Sequence, residues 1–377
     1  MDKRLPLALT FDDVLLQPGY VGFSRSEIST KTFVTKGIEL KIPIISSPMD
    51  TVTEYRLAIA LAQLGGLGFI HRNLSIQDQA SQVTKVKQKG LLVGAAVGSS
   101  AGFEKRVSAL VIAGVDVLIV DSAHGFSKQV INTVKTIRKK YKVQLIGGNV
   151  ATAGGAKALI EAGADGLRVG MGPGAICSTR VVSGMGVPQI TALLDTTKVA
   201  KKHKVPVIAD GGINHSGDIT KAIAAGASTI MLGRLLAATQ ESAGDIIELN
   251  AKQVPSRFQN IINGAKTYKF KTYRGMGSKS AMQKGIEISS EDEFHGKSYT
   301  SDTLIAEGVE GMVPVDGSVA DNVSELVGGL VSGMYYVGSK DIASLQRNSK
   351  FVQITDASLR ESHPHDLFIT DSGSRFI

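Results

Sequence analysis

Short apolar runs alternate with longer stretches of helical period from residue 42 to residue 233, and few folds accommodate that rhythm. The runs fall at 42–47, 67–71, 91–97, 115–121, 143–149, 166–170, 206–210 and 229–233. Amphipathic stretches at 55–63, 76–88, 103–113, 128–141, 155–162, 191–203 and 217–225 lie between them. Several end in glycine, as at Ala162-Gly163 and Ala225-Gly226, where a residue tolerant of the left-handed conformation stops a helix. Eight strand–helix units within about 200 residues predict an α/β fold, the (β/α)8 TIM barrel. An open doubly wound sheet is the alternative, but no Gly-x-Gly-x-x-Gly follows the first run. A barrel makes a geometric demand: the residues that do chemistry follow the strands, on one rim. Ser47-Pro48-Met49-Asp50, His71-Arg72-Asn73, Asp121-Ser122-Ala123-His124-Gly125, Gly148-Asn149, the loop around Cys177, Asp210-Gly211-Gly212 and Gly233-Arg234 all meet it.

Beyond Ser242 the rhythm stops. Residues 248–317 are polar and mixed, and a segment of that length reads as a long mobile flap over the barrel mouth. A helix over 323–337 returns to close the barrel, and a polar C-terminal tail, Arg360-Glu361-Ser362-His363-Pro364-His365-Asp366, follows. No linker divides the chain, so residues 1–377 are expected to form one barrel domain.

Composition narrows the function. A hydrophobic content of 43% with 20% charged residues is that of a soluble globular protein with a sizeable core. Aromatics make up 5% and tryptophan is absent, which argues against a stacking platform for single-stranded nucleic acid. The net charge of +8 is spread along the chain; its densest cluster, Lys201-Lys202-His203-Lys204, reads as a solvated helix end. Such a balance suits small phosphorylated substrates rather than nucleic acid. Lys3-Arg4 precede a short apolar stretch that Asp12-Asp13 closes, too short for a signal segment, and no run approaches a membrane span. A cytoplasmic protein without a membrane partner is expected.

Cys177 is the single cysteine, so it has no internal disulfide partner, and one thiolate cannot hold a zinc ion. It ends a glycine-rich loop, Gly170-Met171-Gly172-Pro173-Gly174-Ala175-Ile176-Cys177, placed after an apolar strand. There backbone amides favour the thiolate and leave it accessible, so the residue reads as a nucleophile rather than as small hydrophobic filler. Thr179 is close enough to orient a leaving group or a water, and Glu307 is a candidate base or substrate clamp; surface solvation is the plain alternative for Glu307. Gly211, Gly212 and Gly233 follow the seventh and eighth strands, where barrels often bind phosphate, and Arg234 adds charge; tight turns needing glycine are the alternative. Asp210 is either an acceptor for ribose hydroxyls or a cap. His363 and His365 beside Glu361 do not have the helical spacing of zinc-binding motifs.

Together these segments resemble the IMP dehydrogenase/GMP reductase family. The likeness is carried by Leu9-Thr10-Phe11-Asp12-Asp13-Val14, Ser46-Ser47-Pro48-Met49-Asp50-Thr51-Val52-Thr53-Glu54, Gly148-Asn149-Val150-Ala151-Thr152 and the Cys177 loop. It continues through Asp210-Gly211-Gly212-Ile213, Tyr273-Arg274-Gly275-Met276-Gly277-Ser278 and Glu307-Gly308-Val309-Glu310-Gly311, nearly the whole chain, and leans to the dehydrogenase branch. The resemblance implies that Cys177 attacks C2 of IMP, that hydride passes to NAD⁺, and that water hydrolyses the resulting thioimidate to XMP, a step toward GMP. It implies Ser47 and Met49 on the nucleotide, Asp210 on the ribose, and Gly212, Gly233, Arg234 and Tyr273 on the phosphate. Gly275, Met276, Gly277 and Glu307 would hold the base, and Asp121, Ser122 and Asn149 would face the nicotinamide. It further implies a potassium ion on Gly172, Gly174 and Cys177, joined by Glu361, Ser362 and His363 of a neighbouring subunit, and hence a homotetramer.

The chain departs from the family at four places. Many dehydrogenases carry paired CBS domains after the second barrel helix, where this chain runs Lys87-Gln88-Lys89-Gly90 straight into the third strand. Two serines that usually help bind phosphate are Ala175 and Arg234. The flap's Arg-Tyr pair, whose arginine activates water, has no arginine counterpart in 289–299, where Lys297 and Tyr299 are the cation and phenol present. A GMP reductase, which uses NADPH and the same cysteine but needs no such arginine, is therefore the second expectation. A non-catalytic purine-nucleotide binder is the third.

Overall fold

The computed structural model describes residues 5–288, 293–294, 297–298 and 305–367. Eight parallel strands form the predicted barrel: β1 (Ile44–Ser46), β2 (Phe69–Ile70), β3 (Gly94–Val97), β4 (Val117–Val120), β5 (Gln144–Val150), β6 (Gly166–Val169), β7 (Val207–Asp210) and β8 (Thr229–Leu232). Neighbours along the chain are neighbours in the sheet, and β8 pairs with β1. A parallel bridge between Ile45 and Leu67 joins the remaining edges, with Ser46 N–H donating to the Leu67 carbonyl at 3.0 Å. These strands are apolar throughout because both faces are covered, as Val117 to Val120, all fully buried, show.

Helices follow the strands: α1 (Tyr55–Gln63), α2 (Ile76–Lys87), α3 (Phe103–Ile112), α4 (Lys128–Lys140), α5 (Ala153–Glu161), α6 (Gln189–Lys202) and α7 (Ser216–Ala224). The eighth position is taken by α8 (Val319–Val337), which packs on α7 and α1. Ser318 caps its first turn by accepting from the Asp321 amide, and Gly338 ends it at φ 75°. Inward residues of alternate strands, among them Ile45, Phe69, Val117, Ile119, Ile146, Ile208 and Met231, fill the barrel interior. A hairpin of Thr32–Thr35 and Ile38–Leu40 adds Val34, Ile38 and Leu40 to that core. Its bonds run to the entering ends of the strands: Thr32 Oγ1 donates to the Ser228 carbonyl, and the Lys36 amide to that of Asp165. The bottom of the barrel is thereby plugged, and only the rim after the strands stays open.

The segment expected as a flap contains ordered structure. Strands Ile246–Leu249, Tyr268–Arg274 and Glu310–Pro314 form an antiparallel sheet with a small core of Val254, Tyr268 and Phe270. Helix Lys279–Glu287 follows the central strand. Of the lid stretch, residues 289–292, 295–296 and 299 lie outside the described residues, including Tyr299; the backbone of Lys297–Ser298 pairs antiparallel with Glu293–Phe294. Among the described residues no helix is long and apolar enough to cross a membrane.

Phe270 is fully buried, and its backbone pairs with strands on both sides. Phe270→Ala is expected to cost about 3–5 kcal/mol, the usual range for emptying an aromatic core site. Urea unfolding followed by circular dichroism measures it. A cost below about 1 kcal/mol would show that this small sheet does not unfold with the barrel.

Candidate active site

The open rim encloses one cavity of about 440 Å³. All the residues assigned by sequence to catalysis, nucleotide and cofactor line it: Cys177, Thr179 and Glu307; Ser47, Met49, Asp210, Gly212, Gly233, Arg234, Tyr273, Gly275, Met276 and Gly277; Asp121, Ser122 and Asn149. Gly172 and Gly174 line it too, whereas Glu361, Ser362 and His363 do not. In this chain the tail helix Asp356–Glu361 packs near residues 11–13, and the His363 ring meets His215 edge-on at 6.2 Å between centres.

The Cys177 loop is held by the insert. Ser178 N–H donates to the Glu307 carbonyl at 3.1 Å, and Val309 N–H to that of Ile176 at 2.9 Å. Gly275 N–H in turn donates to Val309, and Glu307 N–H to Gly277. Three chain segments are thus stitched together beside the thiol. At Gly275 a β-carbon would lie 3.2 Å from both the Ile176 carbonyl oxygen and Gly308 Cα, so glycine allows the approach. Cys177 is free and exposed, with its Sγ 3.2 Å from Thr179 Oγ1.

At one end of the cavity, Gly233 leaves room for the Tyr273 hydroxyl, which would stand 2.8 Å from an added β-carbon. Burial pushes the Tyr273 phenol well above its ordinary pKa, with Arg234 pulling the other way, so it stays a neutral donor. Arg234 lies beside it and donates to Asn214 Oδ1 at 3.3 Å. Among the described residues it has no carboxylate partner. Burial lowers its pKa and Arg257 does the same, so its charge is poorly compensated by the protein alone.

Sequence reasoning missed Arg168, and it named Asp50 and Asn73 on the rim without giving them a role. Arg168, on β6, is buried between Asp121 and Asp210. Its signal was a single charge inside an otherwise apolar barrel run. Asp50, whose side chain is fully buried, accepts from Arg274 Nε at 3.1 Å and Nη2 at 2.5 Å, and from Asn73 Nδ2 at 2.8 Å. Its own amide meets the Met276 sulfur at 3.4 Å. Asp50 therefore anchors the strand that carries Tyr273 and the glycines of the platform.

The scan of protein families matches the IMP dehydrogenase/GMP reductase domain over residues 8–365. The chain belongs to the IMP dehydrogenase/GMP reductase family. It is 43% identical over 412 residues to an inosine-5′-monophosphate dehydrogenase of Borreliella burgdorferi, with 96% of this chain and 97% of the relative covered. The Cryptosporidium parvum enzyme of that name is 42% identical over 410 residues, with 97% of each covered. The Aquifex aeolicus one is 38% identical over 499 residues, with 98% of each covered. That alignment is longer than this chain's 377 residues, so the family includes members with more than a hundred residues that have no counterpart here.

Burial would raise the Asp50 pKa, but Arg274, His71 and Asn73 outweigh it and hold the carboxylate below its ordinary value. A depressed carboxylate stabilises the fold above its unfolded pKa, near 4, and the contribution is lost as pH falls through the lower folded value. Asp50→Asn is expected to cost about 3 kcal/mol at neutral pH, the low end for a broken buried pair, because Arg274 keeps 21% of its side-chain surface in water. Denaturant unfolding between about pH 6 and pH 2 should show a shallower acid loss in the variant than in the parent. Parallel curves would remove Asp50 as the titrating group.

Proposed function

We propose that this chain oxidises IMP to XMP with NAD⁺, supplying guanine nucleotide synthesis through a covalent Cys177 intermediate. The observation that carries this is an exposed, free thiol stitched by backbone bonds to a glycine platform, with an uncompensated arginine and a buried tyrosine hydroxyl elsewhere in the same cavity. A purine nucleoside monophosphate matches the lining of that cavity: base on the glycines beside Cys177, ribose over Asp210, phosphate at Arg234 and Tyr273. The relatives' shared name supports the same substrate.

The Cys177 thiolate adds to C2 of the hypoxanthine ring, and hydride leaves that carbon. NAD⁺, when bound, supplies the acceptor for that hydride. The donor set on its side fits a ribose-bearing dinucleotide: Asp121 offers a carboxylate to hydroxyls, and Ser122 and Asn149 offer polar side chains. Water then adds to C2 of the thioimidate, and Sγ departs to release XMP. No arginine lies between 289 and 299, so on this reading activation of that water falls to Thr179, whose Oγ1 is 3.2 Å from Sγ, and to Glu307, which lines the same cavity. The same absence favours one second reading, reduction of GMP by NADPH.

Gly172 and Gly174 keep their place in the cysteine loop for a potassium ion, and the Gly174 carbonyl, which accepts from Cys177 N–H at 3.0 Å, retains a second lone pair. The tail ligands would come from another copy, because this chain's own lie beside His215. That arrangement implies a homotetramer.

Absorbance at the nicotinamide band tests the reading with IMP plus NAD⁺ in one cuvette and GMP plus NADPH in another. A sustained rise in the first is expected; a fall confined to the second would replace the dehydrogenase by a reductase. Cys177→Ala should abolish turnover while leaving IMP binding within about tenfold, and residual turnover would remove the covalent mechanism. Glu307→Gln should slow steady-state turnover by about 10²–10⁴-fold while the first-turnover burst survives. Loss of the burst as well would place Glu307 in hydride transfer or binding instead.

Replacing Arg234 by Ala should raise the KM for IMP by about ten- to a hundredfold with kcat nearly unchanged, the worth of a charged hydrogen bond. An unchanged KM would move the phosphate elsewhere.

A further inference from the structure

Two carboxylates on different strands converge on one guanidinium at the floor of the cavity. Arg168 Nε donates to Asp210 Oδ2 at 2.9 Å, and its Nη1 to Asp121 Oδ1 at 2.5 Å. The three side chains keep only 10%, 15% and 13% of their surface exposed, so the fork is screened little by water. Asn149 Nδ2 holds the same Asp210 oxygen at 2.8 Å, which leaves Oδ1 of Asp210 facing the cavity without a bond among the described residues. Arg72, buried beside them, sets its Nε 3.6 Å from the other Asp121 oxygen, so two guanidiniums balance the two carboxylates; the free Asp210 oxygen suits a hydroxyl donor, whereas the Arg234 end suits a phosphate.

A buried ion pair is weak evidence for fold stability, because removing its charges from water costs about as much as their attraction returns. A fork joining β4, β6 and β7 beneath the cavity has a different consequence. The side-chain angle that Asp210 adopts sets the guanidinium plane of Arg168, and that plane together with Arg72 sets the angle of Asp121. A ligand that orders one carboxylate thereby orders the other, and the second ligand meets an acceptor already in place.

We propose that Arg168 is a positioning residue that couples the two halves of the cavity, so that a ribose hydroxyl on Asp210 tightens binding of a second hydroxyl-bearing ligand on Asp121. This rests on the reading above that Asp210 faces the nucleotide and Asp121 the dinucleotide. Coupling of this kind is reciprocal: each ligand raises the affinity of the other by the same factor.

The test uses the full chain with Cys177→Ala, in which IMP and NAD⁺ occupy the cavity together without reacting. Titration calorimetry gives the affinity for IMP alone and at saturating NAD⁺. NAD⁺ is expected to tighten IMP by about 5- to 150-fold. Adding Arg168→Lys, which keeps the charge but loses the fork, should reduce that factor below about twofold, while IMP alone weakens by less than tenfold. A factor unchanged by Arg168→Lys, or absent before it, overturns the proposal and leaves the dehydrogenase reading intact. Failure of the Cys177→Ala protein to bind either nucleotide overturns both. Should Arg168→Lys not fold, Asp121→Asn with Arg168 intact decides the matter. IMP alone should then bind within about twofold of its parent while the coupling is lost. Retained coupling in that variant would show that the link does not run through Asp121.

Discussion

Closure of the sheet between β1 and β2 is the constraint on which every later feature depends. The Ile45–Leu67 bridge joins the first strand to the second, and through it Asp50 comes within reach of Asn73 and Arg274. In an open sheet those loops would stand at opposite edges, and the platform strand would lose its anchor. Closure also removes both edges, so strands of only three and two residues at β1 and β2 need no further protection. The hairpin of residues 32–40 then seals the entering ends, which leaves a single rim for polar groups. Function is confined to that rim because the rest of the barrel is filled.

The insert completes what the barrel alone does not provide. A barrel supplies acceptors at its strand ends, here Asp121, Asn149 and Asp210, but the thiol loop after β6 needs a second surface to hold it. Segments 275–277 and 307–309 give that surface through backbone bonds, which do not depend on side-chain identity and place the Glu307 side chain on the cavity. The insert's own core of Val254, Tyr268 and Phe270 makes it a solid wall, and the bond from Lys271 Nζ to the Gln240 carbonyl at 2.9 Å ties it back to the barrel. The cavity is therefore walled by the insert beside Cys177, with Arg234 lacking a carboxylate partner among the described residues at one end and Asp121 and Asp210 ion-paired to Arg72 and Arg168 at its floor.

Much of this was legible in the chain, for a physical reason. Parallel strands buried on both faces must be apolar, and the helices between them must be amphipathic, so all eight units declared themselves. Some runs start before the strand on the entering side, as with 67–71 against Phe69–Ile70, because the residues leading in are already buried and held by single bonds such as the Ile45–Leu67 bridge. The strand Tyr268–Arg274 alternates aromatic or small residues with lysines, a period of two that a general impression of polarity concealed. Arg168 was passed over because one charge in an apolar run does not change its period. Its partners lie 42 and 47 residues away, and pairing at that distance is set by the register of β4, β6 and β7, which no local pattern encodes. The meeting of His363 with His215 is likewise a matter of tertiary placement alone.

On the proposed reading, with phosphate at Arg234, the two departures from the family's serines have a common physical sense. A neutral hydroxyl contributes about 0.5–1.5 kcal/mol as a hydrogen-bond donor, and a charged donor about 1.5–3 kcal/mol. One guanidinium at 234 can therefore offset the hydroxyls missing at both 175 and 234. The exchange is not free of consequence, because a guanidinium must be partly desolvated to act and is screened by salt where it is exposed. The fold meets the first requirement by setting Arg234 against the buried Tyr273 and bonding it to Asn214, and it places no carboxylate among the described residues to compete for the charge. A site built from hydroxyls discriminates by shape; a site built around an unpaired cation discriminates first by charge.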